Sequence, residues 1–367
     1  MNRRTYLSMA SGVFLAGCSS SEPEAATSAS RTPSEETDTP TPESVATDSP
    51  TPAGEETETK TETQSETPDD VERTLDRAAN DLDKAVGRYV DAAGPNRGFH
   101  DLNATDGFSF EENAGPLYDA RSRFNDIGSD ATGAQRERLS RLREVYWFLW
   151  WAGKTHQHLS RAFYRQGETT DRFYGGEYDR VGSQVELVTE AAGAAKETVS
   201  NIKEQSRSDS LDAIDDLEPA DYDTKVERLE TEISQFDRFA EIVRTLSDEV
   251  GKLQRGFEQY RDEEYDDASG TFYGLSGDFE DLHETIVEID AVEAVETPLD
   301  EFACITDALS HGCDVLDEAA TAGGHGNPEK QEVAEDNAKA EFESCSVVTE
   351  RMPMVQEFFD SLPEKRS

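Results

Sequence analysis

The chain has 367 residues, and its 80 Asp plus Glu against 35 Lys plus Arg give a formal charge of −45. Phosphate contacts need Lys and Arg in local excess over acid, so this balance excludes a nucleic-acid-binding surface. Hydrophobic residues reach only 35%, which leaves part of the chain unable to bury itself.

Only 10 of the basic residues are Lys, and the acid is spread along the chain instead of gathered in a tail. Such self-repulsion destabilises a compact state in dilute buffer. At about 1 M salt the Debye length shrinks to roughly 3 Å and distant charges cease to interact. Acid-rich, Lys-poor composition of this kind resembles that of proteins from halophilic archaea.

Near the N-terminus, Arg3 and Arg4 sit in the run NRRTYLS, and a short apolar stretch from Val13 leads into Leu15-Ala16-Gly17-Cys18. The stretch is far shorter than the ~20 residues that span a bilayer. Residues 1–17 and Cys18 together resemble a twin-arginine export signal joined to a lipoprotein lipobox. That resemblance implies folding before export, cleavage before Cys18, lipid attachment at its sulfur, and a mature protein held on the outer side of the cell membrane. Cleavage removes two bases and no acid, taking the charge from −45 to −47. Each buried lipid methylene contributes roughly 0.8 kcal/mol, and two chains anchor stably where one binds reversibly.

Residues 18–69 form the lipidated cysteine and a linker. From 19 to 69 there are 21 Ser or Thr, 7 Pro, 13 acids and 2 bases, with Val45 the one large aliphatic residue. Nothing in it offsets ordering entropy, so a disordered stalk with an r.m.s. span of about 40 Å is expected. Asn103-Ala104-Thr105 is a glycosylation sequon.

From residue 70 to 367 apolar residues recur every three or four positions, the helical period. Val71, Leu75, Ala78, Leu82, Val86 and Tyr89 make a first stripe, stopped by Gly94-Pro95. Leu117, Ala120, Phe124 and Ile127 make a shorter one, and Leu139, Leu142, Tyr146 and Leu149 begin a longer one. The stripe Val185–Ile202 and the stripe Val226–Val243 keep heptad spacing and predict an antiparallel hairpin reversed between Gln205 and Thr224. The spacing then slips after Leu246, predicting a bend near Gly251 and Gly256. No alternating run bounded by hairpin turns is present. The expected fold is all-α, a multi-helix bundle of eight to ten helices in antiparallel hairpins.

Leu159, Arg161 and Phe163 recur as Leu253, Arg255 and Phe257, and Glu177-Tyr178-Asp179 recurs as Glu264-Tyr265-Asp266. Gly256, Tyr260, Tyr265, Ala268 and Phe272 resemble the core of one tetratricopeptide-type hairpin, although Arg255 stands where a large apolar residue belongs. A solenoid needs three or more stacked units, and only this one is legible.

All three Trp lie in Tyr146-Trp147-Phe148-Leu149-Trp150-Trp151. Aromatics all round a helix predict a central bundle helix. The functional alternative makes Trp147, Trp151 and His158 one wall of a binding surface. His156 and His158 lie about 200° apart on a helix, which opposes joint metal chelation.

Cys304, His311, Cys313, His325 and Cys345 form the other group with chemistry. Without CxxC or HxxxH spacing zinc is disfavoured, and export favours a disulfide. Cys304 and Cys313 are about 13 Å apart along a helix, too far to bridge. A chain reversal over Thr321–Pro328 places Cys304 opposite Cys345. Cys313 instead shares the apolar stripe of Leu299, Phe302, Ile305, Leu309 and Leu316, so Cys313–Cys345, no bridge, and a metal site remain alternatives to Cys304–Cys345.

No GxSxG turn, activated thiol or phosphate loop is present. The expected function is non-catalytic, with no cofactor: a lipid-anchored helical domain that binds an envelope protein or a small ligand. An envelope enzyme with an unrecognised carboxylate/His site and a metal or cofactor carrier in the bundle are the alternatives.

Overall fold

The computed structural model describes residues 67–127 and 131–362. Arg3, Arg4, Cys18 and the linker up to residue 66 lie outside the described residues. Among the described residues there are eleven α-helices, three short 3-10 turns and no strand. The all-α expectation therefore stands, with a few more helices than the apolar stripes predicted. The three not read from periodicity are α2 (Phe110–Asn113), α10 (Ser346–Arg351) and α11 (Pro353–Ser361), each nine residues or fewer.

Helix α1 (Pro68–Ala93) starts on a capping box. Thr67 accepts from the Asp70 amide, Asp70 accepts from the Thr67 amide, and Pro68 occupies the first turn. The stripe from Val71 to Tyr89 is buried along its whole length, and it lies against α3 (Gly115–Asp126) and α4 (Gly133–Tyr174). Helix α4 opens on a second capping box, Thr132 with Gln135. Gln135 Nε2 also donates to the Pro68 carbonyl at 2.8 Å, fastening the two helix starts together. At 42 residues, α4 is about 63 Å long.

Three hairpins follow: α4 with α5 (Tyr178–Gln205), α6 (Pro219–Arg261) with α7 (Tyr265–Val287), and α8 (Glu293–Gly324) with α9 (Pro328–Glu343). Each reverses through the same turn. In the first, Gly176 has φ +72 and the Glu177 amide donates to Arg172 O at 3.1 Å. In the second, Glu263 has φ +62 and the Glu264 amide donates to Gln259 O at 2.9 Å. In the third, Gly326 has φ +66 and the Asn327 amide donates to Ala322 O at 2.9 Å. This is the Schellman closure, in which the residue at positive φ frees the chain to cap its own last carbonyls.

The antiparallel pairing of the stripes Val185–Ile202 and Val226–Val243 is also present. Lys203 meets Glu230 at 2.6 Å near the turn, and Lys196 lies within electrostatic reach of Asp237 farther away. First helices α4, α6 and α8 touch in succession as well as pairing with their neighbours. The chain thus forms three successive hairpins, of which the sequence marked the reversal over Thr321–Pro328 and the α6–α7 pair around Gly256. Within that pair, Gly256 lets α7 approach closely: a Cβ there would lie 2.8 Å from the Phe272 ring. Helix α6 runs unbroken through Gly251 and Gly256.

Candidate functional site

The aromatic run lies midway along α4. Tyr146, Phe148 and Leu149 are buried, whereas all three Trp are partly buried. Trp150 turns toward α2 and α3, with its ring edge-on to Phe110 at 4.9 Å and to Tyr118 at 5.5 Å. Trp147 and Trp151 stack on each other at 6.1 Å and 18°, Trp147 also meets Tyr146 at 4.9 Å, and Trp151 Nε1 is buried without a hydrogen-bond partner among the described residues. His158 continues the same helical stripe but makes no ring contact with either Trp among the described residues. It is half-buried, and burial, then Arg161 and Lys154, hold its pKa below the ordinary range against the opposing pull of Glu197. Helix α4 carries eight Lys or Arg and four Asp or Glu, a positive balance in a chain of charge −45.

Cys304 on α8 and Cys345 at the start of α10 are joined by a disulfide with a Cα–Cα distance of 5.7 Å. Cys313 is free and fully buried on the apolar face of α8, where burial pushes its thiol far above the usual range. It acts there as a small hydrophobe. Among the described residues no three His, Cys, Asp or Glu side chains converge on a position suited to a metal ion.

A third group was not legible in the sequence. Lys225 and Glu232 stand seven residues apart on α6, 0% and 2% exposed. Lys225 Nζ donates to the carbonyls of Phe99 at 3.2 Å, His100 at 3.5 Å and Leu102 at 3.1 Å, and lies 5.3 Å from the Phe99 ring centre. Glu232 Oε2 accepts the Ala104 amide at 3.0 Å. Burial drives the two pKa values toward each other, Lys225 downward and Glu232 upward, and their mutual attraction opposes both shifts. His156 of α4, also 0% exposed, is held neutral by burial and by the positive charge of Lys225 and Arg228. The spacing of Lys225 and Glu232 does match the α6 seam. In a chain with 80 acidic residues, however, one Glu beside the seam residue Ile233 carries no signal.

A groove of about 730 Å³ runs between α6 and α7, floored by Ile242, Leu282 and Ile289 and edged by Glu241, Asp278 and Asp281. Its acidity matches that of the whole surface and distinguishes no ligand. The chain matches no protein-family model, no curated protein and no solved structure.

Proposed function

We propose that the mature chain is a lipid-anchored domain tethered outside the cell membrane through Cys18, and that it works by binding a partner protein or small ligand. The disulfide between Cys304 and Cys345 carries this reading, because such bonds persist in oxidising compartments beyond the cytosol. The partly exposed Trp147–Trp151 stack supports a binding surface, since paired aromatics give a rigid contact at low entropic cost.

Cell fractionation in high salt tests the tether: wild type is expected in the membrane fraction and Cys18→Ser in the soluble fraction. Capture from intact cells tests binding. A partner retained by wild type and lost by the Trp147→Ala/Trp151→Ala variant, with unchanged thermal unfolding, is the expected outcome. A solitary wild-type product overturns the binding reading. The envelope-enzyme alternative draws on the burial of His156 within electrostatic reach of Lys225, itself attracted by the buried Glu232, and it requires a route for substrate to that group.

A further inference from the structure

The segment between α1 and α2 lies over the buried Lys225 and Glu232, its Phe108 ring meets that of the buried His156 at 6.0 Å, and its construction sets it apart from an ordinary connection. Gly94 and Asn96 on one side and Gly107 on the other have φ of +94, +63 and +64. These positions bracket residues 97–106. Within the bracket, Arg97 donates to Asp106 Oδ1 at 2.6 Å and to the Asp101 carbonyl, tying the two ends of the segment together. The Gly98 amide donates to Asp101 Oδ2 at 2.7 Å, the Asn103 amide to Asp106 Oδ2 at 2.8 Å, and the Thr105 amide to Asn103 Oδ1 at 2.8 Å. The segment is a self-braced loop of the Ω kind, whose own hydrogen bonds survive displacement as a unit.

Its attachments to the body are of a different nature. They combine buried Phe99, Leu102 and Ala104, with the Phe99 ring 5.7 Å from Tyr89 and 5.8 Å from Phe148, and a set of polar contacts that reach α6 and α8. The polar contacts comprise the Lys225 and Glu232 bonds described above, Arg228 with Asp101 at 3.0 Å, His100 with Asp221 at 2.8 Å, and Asn103 with Glu293 at 3.3 Å. Closure also leaves polar atoms without partners. Both ring nitrogens of His156 and Oε1 of Glu232 are buried and make no hydrogen bond among the described residues. Water would satisfy each of these atoms and resolvate both charges if the loop lifted. Sealing them away is unfavourable to the closed form.

We infer that residues 97–106 act as a strap that lifts as a rigid unit about Gly94–Asn96 and Gly107, giving solvent and solutes access to His156, Lys225 and Glu232. This opening is the access route that a buried polar site would need, and it stands independently of what the α4 surface binds.

Native-state amide hydrogen exchange on the full chain in high salt tests the strap. The reporters are the Ala104 amide, bonded to Glu232, and the Leu229 and Phe236 amides within α6. The strap predicts exchange at Ala104 at least tenfold faster than in α6, with little dependence on denaturant, and carbethoxylation of His156 at a matching rate. In Lys225→Met, which removes the donor to three strap carbonyls, exchange at Ala104 accelerates at least another tenfold while α6 keeps its protection. Should that variant fail to fold, the wild-type comparison decides alone. Exchange at Ala104 and modification of His156 that occur only with global unfolding of α6 overturn the inference.

Discussion

The three hairpin turns share one backbone path but not one residue at its left-handed position, and Glu263→Gly exploits the exception. Gly176 and Gly326 reach positive φ without a Cβ penalty, whereas Glu263 holds φ +62 with a full side chain. The left-handed conformation costs an L-residue roughly 1–2 kcal/mol. Glycine returns part of this, because its added freedom in the unfolded chain costs about 0.4–1 kcal/mol. The Glu263 side chain is exposed and makes no ion pair among the described residues, so its loss adds nothing further. The expected net effect is stabilisation by about 0.5–1 kcal/mol. Gly176→Ala and Gly326→Ala should lose about 1 kcal/mol each, since they import the same strain. Urea unfolding in concentrated salt, read as a shift of midpoint at constant slope, measures all three. A lower midpoint for Glu263→Gly at unchanged slope would refute the claim that positive φ is the cost carried by this turn.

The disulfide spans 41 residues, and loop-closure entropy at that length corresponds to about 4 kcal/mol. Reductant should lower the urea midpoint of wild type and leave Cys304→Ser/Cys345→Ser unaffected; an equal response from both would show that the bond stabilises nothing. Gly312→Ala should cost about 1–3 kcal/mol, because the new methyl would lie 2.6 Å from the buried Phe342 ring, and differential calorimetry would register this as a lower Tm. His156 provides the pH test. Its pKa is held well below the ordinary 6.5 in the folded chain, so the unfolded chain takes up the proton first as pH falls. Native stability therefore drops below pH 6.5 by roughly 1.4 kcal/mol per unit until the folded-state value is reached. Relative to His156→Leu, wild type should lose midpoint between pH 6.5 and 5, and parallel curves over that window would remove His156 as the cause.

Apolar periodicity made the long helices legible because burying a stripe is what holds each of them in place. Val71 through Tyr89 and the two heptad seams could hardly pack in another way. The turns were partly legible: the stretch Thr321–Pro328, with Gly326, marks chain reversal, but Glu263 hides the same backbone behind a residue that avoids it. The strap was invisible because a braced loop has no period, and its anchors Lys225 and Glu232 have the composition of surface residues. Only the fold gives these two their meaning, by placing carbonyls and an amide of residues 99–104 within reach of side chains more than a hundred positions later. The Trp run fits a bundle helix packed on several sides: Trp150 meets Phe110, Trp147 stacks on Trp151, and all three rings stay partly buried against the core.

The stacking of successive hairpins also bears on how the polypeptide first acquires its shape. From α4 to α9 each helix finds its main partner immediately before or after it along the chain, so few distant segments must meet before contacts begin to accumulate. Topologies rich in such local contacts fold quickly, and ordering can nucleate at whichever hairpin closes first and spread to its neighbours. A nascent chain can therefore begin to order its leading hairpin before its last helix has been synthesised.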